Sequence, residues 1–155
     1  MAIDFNSPHL AILGADDVHA QLEGIGQRIE DMSPIMRGAV RDVLIRSAQE
    51  NFQAQGRPDR WPDLKESTRK RKRGTDLILQ DSLLLVRSLS PDGNQYSINH
   101  HDEHSVTIGT TRPGAKNHQE GLTRPQRRFL VVQDEDIEDI KTIIADFALG
   151  RMGDL

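Results

Sequence analysis

Three histidines and two carboxylates crowd into His100-His101-Asp102-Glu103-His104, a composition that could hold a divalent metal. A catalytic metal needs about three converging protein ligands with an organised second shell around them. Residues 96–108 alternate as a hairpin: Tyr96 and Ile98 on one arm, Val106 and Ile108 on the other, with the acidic histidine cluster at the tip. Successive strand side chains point to opposite faces, so His100 and His101 diverge. The tip could offer two ligands, with His118 a third from a later loop. A metal-dependent hydrolase using His101, His104 and His118 is therefore the weakest of three readings, and the tip reads as a solvated turn.

Other chemistries find less. There is no cysteine, which excludes thiol catalysis, disulfides and zinc–thiolate sites. No serine sits in a G-x-S-x-G elbow, and no glycine-rich phosphate loop or dinucleotide fingerprint occurs. The residues give no catalytic, cofactor or metal site, and the expectation is a protein that is not an enzyme. The run Arg69-Lys70-Arg71-Lys72-Arg73 is the sharpest electrostatic feature. It could neutralise phosphates in a salt-dependent, sequence-independent way. No stacking aromatic interrupts it, and 24 acidic residues against 20 basic ones give a net charge of −4. An exposed basic face that meets DNA or an acidic partner after assembly is favoured over a dedicated DNA binder. Trp61, the only tryptophan, reads as a cap on the core from a loop or as an interface anchor, with packing the favoured of the two.

The elements that position these groups follow from periodicity. Val18, Leu22, Ile25, Ile29 and Met32 make a helix stripe after Asp16-Asp17. Ser33-Pro34 reads as an N-cap and first helical residue, starting a helix with Met36, Val40, Val43, Leu44, Ala48 and Phe52 on one face and Gly56 as its stop. Leu79, Leu83, Val86 and Leu89 fit a further helical face, and Pro91-Asp92-Gly93-Asn94 a turn. Phe129–Val132 is β-like and could lie beside the hairpin. Asp134-Glu135-Asp136 open a last helix with Ile137, Ile140, Ile144 and Phe147 in one stripe, ended by Gly150. The expected fold is α+β: N-terminal helices, a small antiparallel β-sheet with a long loop, and a C-terminal helix packed on the sheet. A flexible arm over 1–15, a single domain over 16–150 and a tail over 151–155 complete the expected layout.

At 155 residues the chain can bury roughly 68–70% of its unfolded surface. Hydrophobic residues at 35% and aromatics at 4% are lean, which fits either a neighbouring subunit that completes some of the apolar area or a loose tail that lowers the average. No apolar run approaches the ~20 residues of a membrane span, and no signal peptide opens the chain, so a soluble, non-secreted protein is expected.

Four landmarks stand in order along Ile35 to Leu149. A helical region ends in Phe52 and leads to Trp61-x-x-Leu64-x-x-x-Thr68 with a basic stretch. Then come Leu79-x-x-Ser82-x-x-Leu85-x-x-Ser88-Leu89; the strand Val106-x-Ile108-Gly109 with Ala115-x-x-His118-Gln119-x-Gly121; and Arg127-x-Phe129-Leu130 before an acidic helix start. In this order the chain resembles the phage virion morphogenesis family, the tail-completion proteins of Mu-like and related tailed phages. It departs from the family's pattern at Leu83, where glycine is frequent, at Gly114, where tyrosine is, and at Arg128, where proline is.

The resemblance implies a structural subunit that finishes the head-proximal end of the tail and lets it join the filled head. It implies a homo-oligomeric ring, commonly six-fold, with no catalytic step. The implied partners are the tail tube or sheath, the head–tail connector and packaged DNA, with no membrane; the implied place is the virion tail, assembled in the bacterial host cytoplasm. The Val106–Leu130 loop then reads as an assembly surface: Trp61, His118, Gln119, Gly121, Arg127, Arg128 and Phe129 are the candidate interface residues. Arg127 would hold a neighbour or a carboxylate, and Phe129 would seat the strand. Arg69, Lys70, Arg71, Lys72 and Arg73 are the candidate contact to DNA or an acidic partner. The competing reading is a small, non-specific nucleic-acid-binding protein that uses the same run.

Overall fold

The computed structural model describes residues 15–72 and 75–152. The arm expected over 1–15 and the tail over 151–155 fall mostly outside the described residues, as does Arg73. Helix α1 (Ala15–Glu30) is followed by a short helical turn, α2 (Ser33–Ile35), a π-helical turn (Met36–Val40) and α3 (Arg41–Gln53). Two short helices, α4 (Glu66–Arg69) and α5 (Leu84–Ser88), precede the hairpin β1 (Ser97–His101) and β2 (Val106–Thr110). Then come α6 (Ala115–Glu120) and α7 (Asp134–Ala148). The hairpin pairs antiparallel in the register Ser97↔Thr110 to His101↔Val106 and is the only sheet among the described residues. The fold is α+β, as its sequence pattern predicts.

Helix α3 is the hub. Its Ala48 and Phe52 join Trp61, Ile78, Leu85, Leu89, Ala115 and Phe129 in one buried cluster. Phe52 meets Trp61 edge-on, with centroids 5.6 Å apart, and stacks on Phe129 at 5.7 Å. Such pairs add about 0.5–1.5 kcal/mol each beyond the area they bury. Concentrating the few aromatics at one point lets a chain with 4% aromatic residues build a core. A second cluster sits on Ile35, Met36 and Val40, covered by Ile140, Ile143, Ile144 and Phe147 of α7 and by Val106 of β2. The C-terminal helix thus rests chiefly on the N-terminal helices, with the sheet contributing Val106. Its inward stripe runs through Ile143, while Ile137 stays outside.

Several local expectations need correction. Ser33 is not the N-cap: the Asp31 carboxylate accepts the Ser33 N–H at 2.9 Å, and Met32 holds the cap position. Phe129–Val132 forms no ladder with the hairpin. The helix expected through Leu79, Leu83, Val86 and Leu89 is reduced to Leu84–Ser88, because Leu79 and Leu83 both take the left-handed backbone, at φ 61° and 58°. A left-handed L-residue costs roughly 1–2 kcal/mol. The Leu79 side chain recovers that cost by packing against the main cluster. Leu83 is 39% exposed and has no such return. This is the position where the resemblance expects glycine, and the backbone supplies the reason.

Leu83→Gly should therefore stabilise the chain. Relief of the left-handed strain outweighs the extra backbone entropy of glycine in the unfolded state, which takes back roughly 0.5–1 kcal/mol. We expect a net gain of about 0.5–1 kcal/mol in urea unfolding; a loss would show that the Leu83 side chain packs more than its exposure indicates.

Candidate functional site

The segment from Thr111 to Val132 is an ordered frame built around α6. Gly121 ends α6 at φ 73°, and a Cβ there would lie 2.8 Å from the Cβ of Gln126, so the turn tolerates no side chain. From the last turn of α6 the Gln119 amide reaches the returning chain. Its Nε2 donates to Leu130 O at 2.8 Å, and its Oε1 accepts from Phe129 N and Leu130 N at 3.0 and 3.1 Å. One amide side chain thus does what a neighbouring strand would do. On the other side, Asn51 Nδ2 donates to Phe129 O and Val131 O at 3.2 and 3.0 Å, and Ser47 Oγ donates to Val131 O at 3.2 Å. Asn51 and Ser47 are buried within α3, a role their polar character concealed in the sequence.

The candidate interface residues divide by burial. Trp61 and Phe129 are buried in the main cluster, and Trp61 Nε1 donates to Arg128 O at 2.9 Å. Arg127 is 5% exposed. Its Nε and Nη2 donate to Pro62 O at 3.0 and 2.8 Å, and Nη2 also donates to Asp63 O at 3.1 Å. In this chain, then, Arg127 fastens the Trp61–Asp63 linker to the frame. Carbonyls satisfy its donors without cancelling its charge, and burial lowers its pKa from the ordinary arginine value, with nearby Arg124 adding to the effect. Arg128 is exposed and lines a separate cleft with Arg57 and Arg60. His118 sits on α6, where its backbone oxygen accepts from Arg127 N at 2.7 Å.

The basic run is less uniform than a row of five charges. Arg69 and Lys70 are exposed, and Lys70 pairs with Glu66 at 2.8 Å. Arg71 Nε donates to Ser67 O at 3.1 Å, and Lys72 Nζ to Leu77 O. Arg71 and Lys72 also line a cleft of about 520 Å³ whose far wall carries Arg112, His118, Arg124 and Arg127. The structure thus joins two features that stand over forty residues apart in the sequence. Arg112 and Arg124 were not foreseen there: each is a lone cation in a turn, with no period to mark it. His118 is pushed down to about 4 by burial first, then by Arg124, Arg127 and Arg112, so it is neutral at pH 7.

The hairpin histidines lie elsewhere. His100, His101 and His104 are exposed, and His104 Nε2 lies 3.0 Å from Ile29 O. Asp102 organises the tip, accepting from His104 N, Ser105 N and Ser105 Oγ. Among the described residues no group of three or more His, Asp or Glu side chains is placed to hold a metal ion.

Residues 15–147 match the model of the phage virion morphogenesis family. No curated protein and no solved structure matches the chain.

Two outcomes follow from the frame. Gln119→Ala leaves two N–H groups and a carbonyl without partners and should cost roughly 2–4 kcal/mol in denaturant unfolding; a change within 0.5 kcal/mol would show that water replaces the amide. His118 has its pKa lowered from 6.5 to about 4, so the unfolded chain binds that proton more readily in this window. Its contribution to stability should be complete above about pH 6.5 and fall away as pH drops toward 4. His118→Gln should flatten the slope of unfolding free energy against pH there, and an unchanged slope would assign the loss to other groups.

Proposed function

The chain belongs to the phage virion morphogenesis family, which gives it a role in phage assembly, and from that premise we propose that it completes the head-proximal end of the tail and enables head–tail joining as one subunit of a homo-oligomeric ring. The observation that carries the ring reading is α1. Its stripe is amphipathic by design of the sequence, yet Val18, Leu22 and Ile29 are 57%, 61% and 46% exposed. The helix is held to the end of α7 by Arg28, whose Nε donates to Ala148 O at 2.9 Å, with Val18, Leu22 and Ile29 outward, Ile25 half-buried and Met32 packed on the second cluster. A helix that spends its apolar positions on solvent has that face available for another chain.

A head-to-tail ring needs a second, different patch. The proposed one is the outward side of the 121–132 loop, where Leu122, Arg128 and Val132 are exposed. Trp61, Gln119, Gly121, Arg127 and Phe129 then serve the contact by fixing the loop's shape, with His118 in the cleft behind it. Neighbours on the ring's two faces would be the tail tube or sheath and the head–tail connector, and the Arg69–Arg73 run is the proposed contact with DNA or an acidic neighbour. The role involves no catalytic step. Among the described residues no helix is long and apolar enough to cross a membrane.

Val18→Glu with Leu22→Glu tests this reading. Both positions are exposed, so far-UV circular dichroism and the unfolding midpoint should stay within error of the wild type. Light scattering should show self-association weakened by at least about 100-fold, as expected when charge enters an apolar contact. Tails assembled with the variant should fail to join heads. A wild-type chain that remains monomeric and still supports joining would overturn the ring.

A further inference from the structure

The cleft between the 65–72 segment and the α6 frame shares Arg71 and Lys72 with the proposed DNA contact and adds cations that the subunit contact does not use. Lys65, Arg71, Lys72, Arg112, Arg124 and Arg127 line it, against the carboxylates of Asp63 and Asp81. None of these six cations takes part in the ion pairs found among the described residues. Like charges gathered around a concave surface repel one another, and low-dielectric walls concentrate their field. Such an arrangement is unfavourable for an isolated fold and is relieved by an anion.

The donors in the cleft come from separate chain segments. Arg71 and Lys72 follow α4, Arg112 follows β2, and Arg124 lies between α6 and the returning chain. Arg112 Nη2 lies 3.2 Å from Ser82 Oγ, so a hydroxyl stands beside its guanidinium, and Thr68 and Thr123 add two more on the walls. A carboxylate has two oxygens in one plane and satisfies donors on one side. A tetrahedral phosphate presents oxygens outside a single plane, and a free or terminal phosphate also carries more charge, so phosphate suits arginine forks and hydroxyls from several chain segments better. His118 supplies a second sign: its Nδ1 is enclosed without a hydrogen-bond partner among the described residues.

We propose that this cleft is a phosphate-binding site, formed where the basic run meets the α6 frame, with Arg71, Lys72, Arg112 and Arg124 as the binding cations. Arg127 backs the site as a fixed positive charge while its donors hold the linker. The phosphate could be a free or terminal phosphate or a diester of a nucleic-acid backbone, and the two sources share this chemistry. The inference goes beyond the ring and stands whether or not the chain oligomerises.

Nuclear magnetic resonance of the His118 ring, identified by its disappearance in His118→Gln, reads the site directly. The chain is titrated at constant ionic strength with inorganic phosphate and, separately, with a short duplex lacking terminal phosphates; sodium chloride and polyglutamate serve as controls. A bound anion offsets the neighbouring arginines, so the pKa of His118 should rise by about one unit from its depressed value of about 4. Saturable shifts with inorganic phosphate assign a free or terminal phosphate, and shifts with the duplex alone assign the backbone. Arg112→Ser with Arg124→Ser should weaken binding at least about 10-fold, whereas removing the same charge at Arg37 and Arg87 should leave it unchanged. Absence of a saturable shift with either phosphate source would overturn the proposal. Equal shifts with chloride, tighter binding of polyglutamate, or equal losses in both charge-removal variants would do the same.

Discussion

An extended segment is buried in this fold without a strand to pair with it, and its carbonyl and amide groups must still find partners. Residues Phe129 to Val131 pass between α3 and α6, with Phe129 buried and Leu130 and Val131 half-buried. An unpartnered backbone group there costs about 1–3 kcal/mol. Three side chains take the place of a ladder: Asn51 and Ser47 from α3, and Gln119 from α6. The same polar edge of α3 extends to both ends of the fold. The single hydroxyl proton of Ser47 is shared between Val131 O and the closer Asp136, whose carboxylate accepts the Gln133 N–H in the capping box of α7. Arg57 reaches Asn51 Oδ1 at 2.9 Å and Glu50 at 2.6 Å, which ties down the linker that leads to Trp61. Remove Asn51, and the loop frame and the linker each lose a support; remove Ser47, and the loop frame and the last helix do.

That constraint separates what the molecule uses to fold from what it leaves for other molecules. Trp61, Arg127 and Phe129 have the residue types that dominate interfaces, yet each is already occupied by this chain. Their occupation makes the loop stiff, and a stiff loop loses less entropy on meeting a neighbour than a loose one. The outward apolar groups are less conspicuous in type: Val18, Leu22 and Ile29 on one helix, Leu122 and Val132 on the loop. Their exposure, and not their identity, marks them.

Much of the scaffold is readable from sequence, and the failures share a cause. The hairpin and α7 follow from alternation and from an acidic helix start, both local signals, and the structure places them within a residue or two of expectation. The α1 stripe is also correct as periodicity, but periodicity cannot tell a buried face from one left in solvent. The Leu77–Leu89 block misleads because leucine is a strong helix former and its spacing is helical, while the backbone turns left-handed at Leu79 and Leu83. Phe129–Val132 misleads in the other direction: its residues are β-formers, but its partners are side chains distant in sequence. Ser47, Asn51 and Gln119 carry no period at all. The cleft escapes for the same reason, since Arg112 and Arg124 acquire meaning only once α6 brings them opposite Arg71 and Lys72.

The charge balance shows why a whole-chain quantity was a poor guide to that cleft. A net charge of −4 argues against a general attraction to nucleic acid, and over long distances the argument holds. At physiological ionic strength, however, charges further apart than about 8 Å are largely screened, so an approaching anion responds to the groups within that radius. Asp63 and Asp81 line the cleft, but many other acidic residues are gathered away from it, in Asp134-Glu135-Asp136 and Glu138-Asp139 of α7 and in Asp16-Asp17 of α1. Several of them are spent on helix starts or on ion pairs such as Arg46–Asp139 and Arg57–Glu135. An acidic protein can therefore hold a strongly cationic cleft, provided that its carboxylates are used at helix ends and its arginines are left over where chain segments converge.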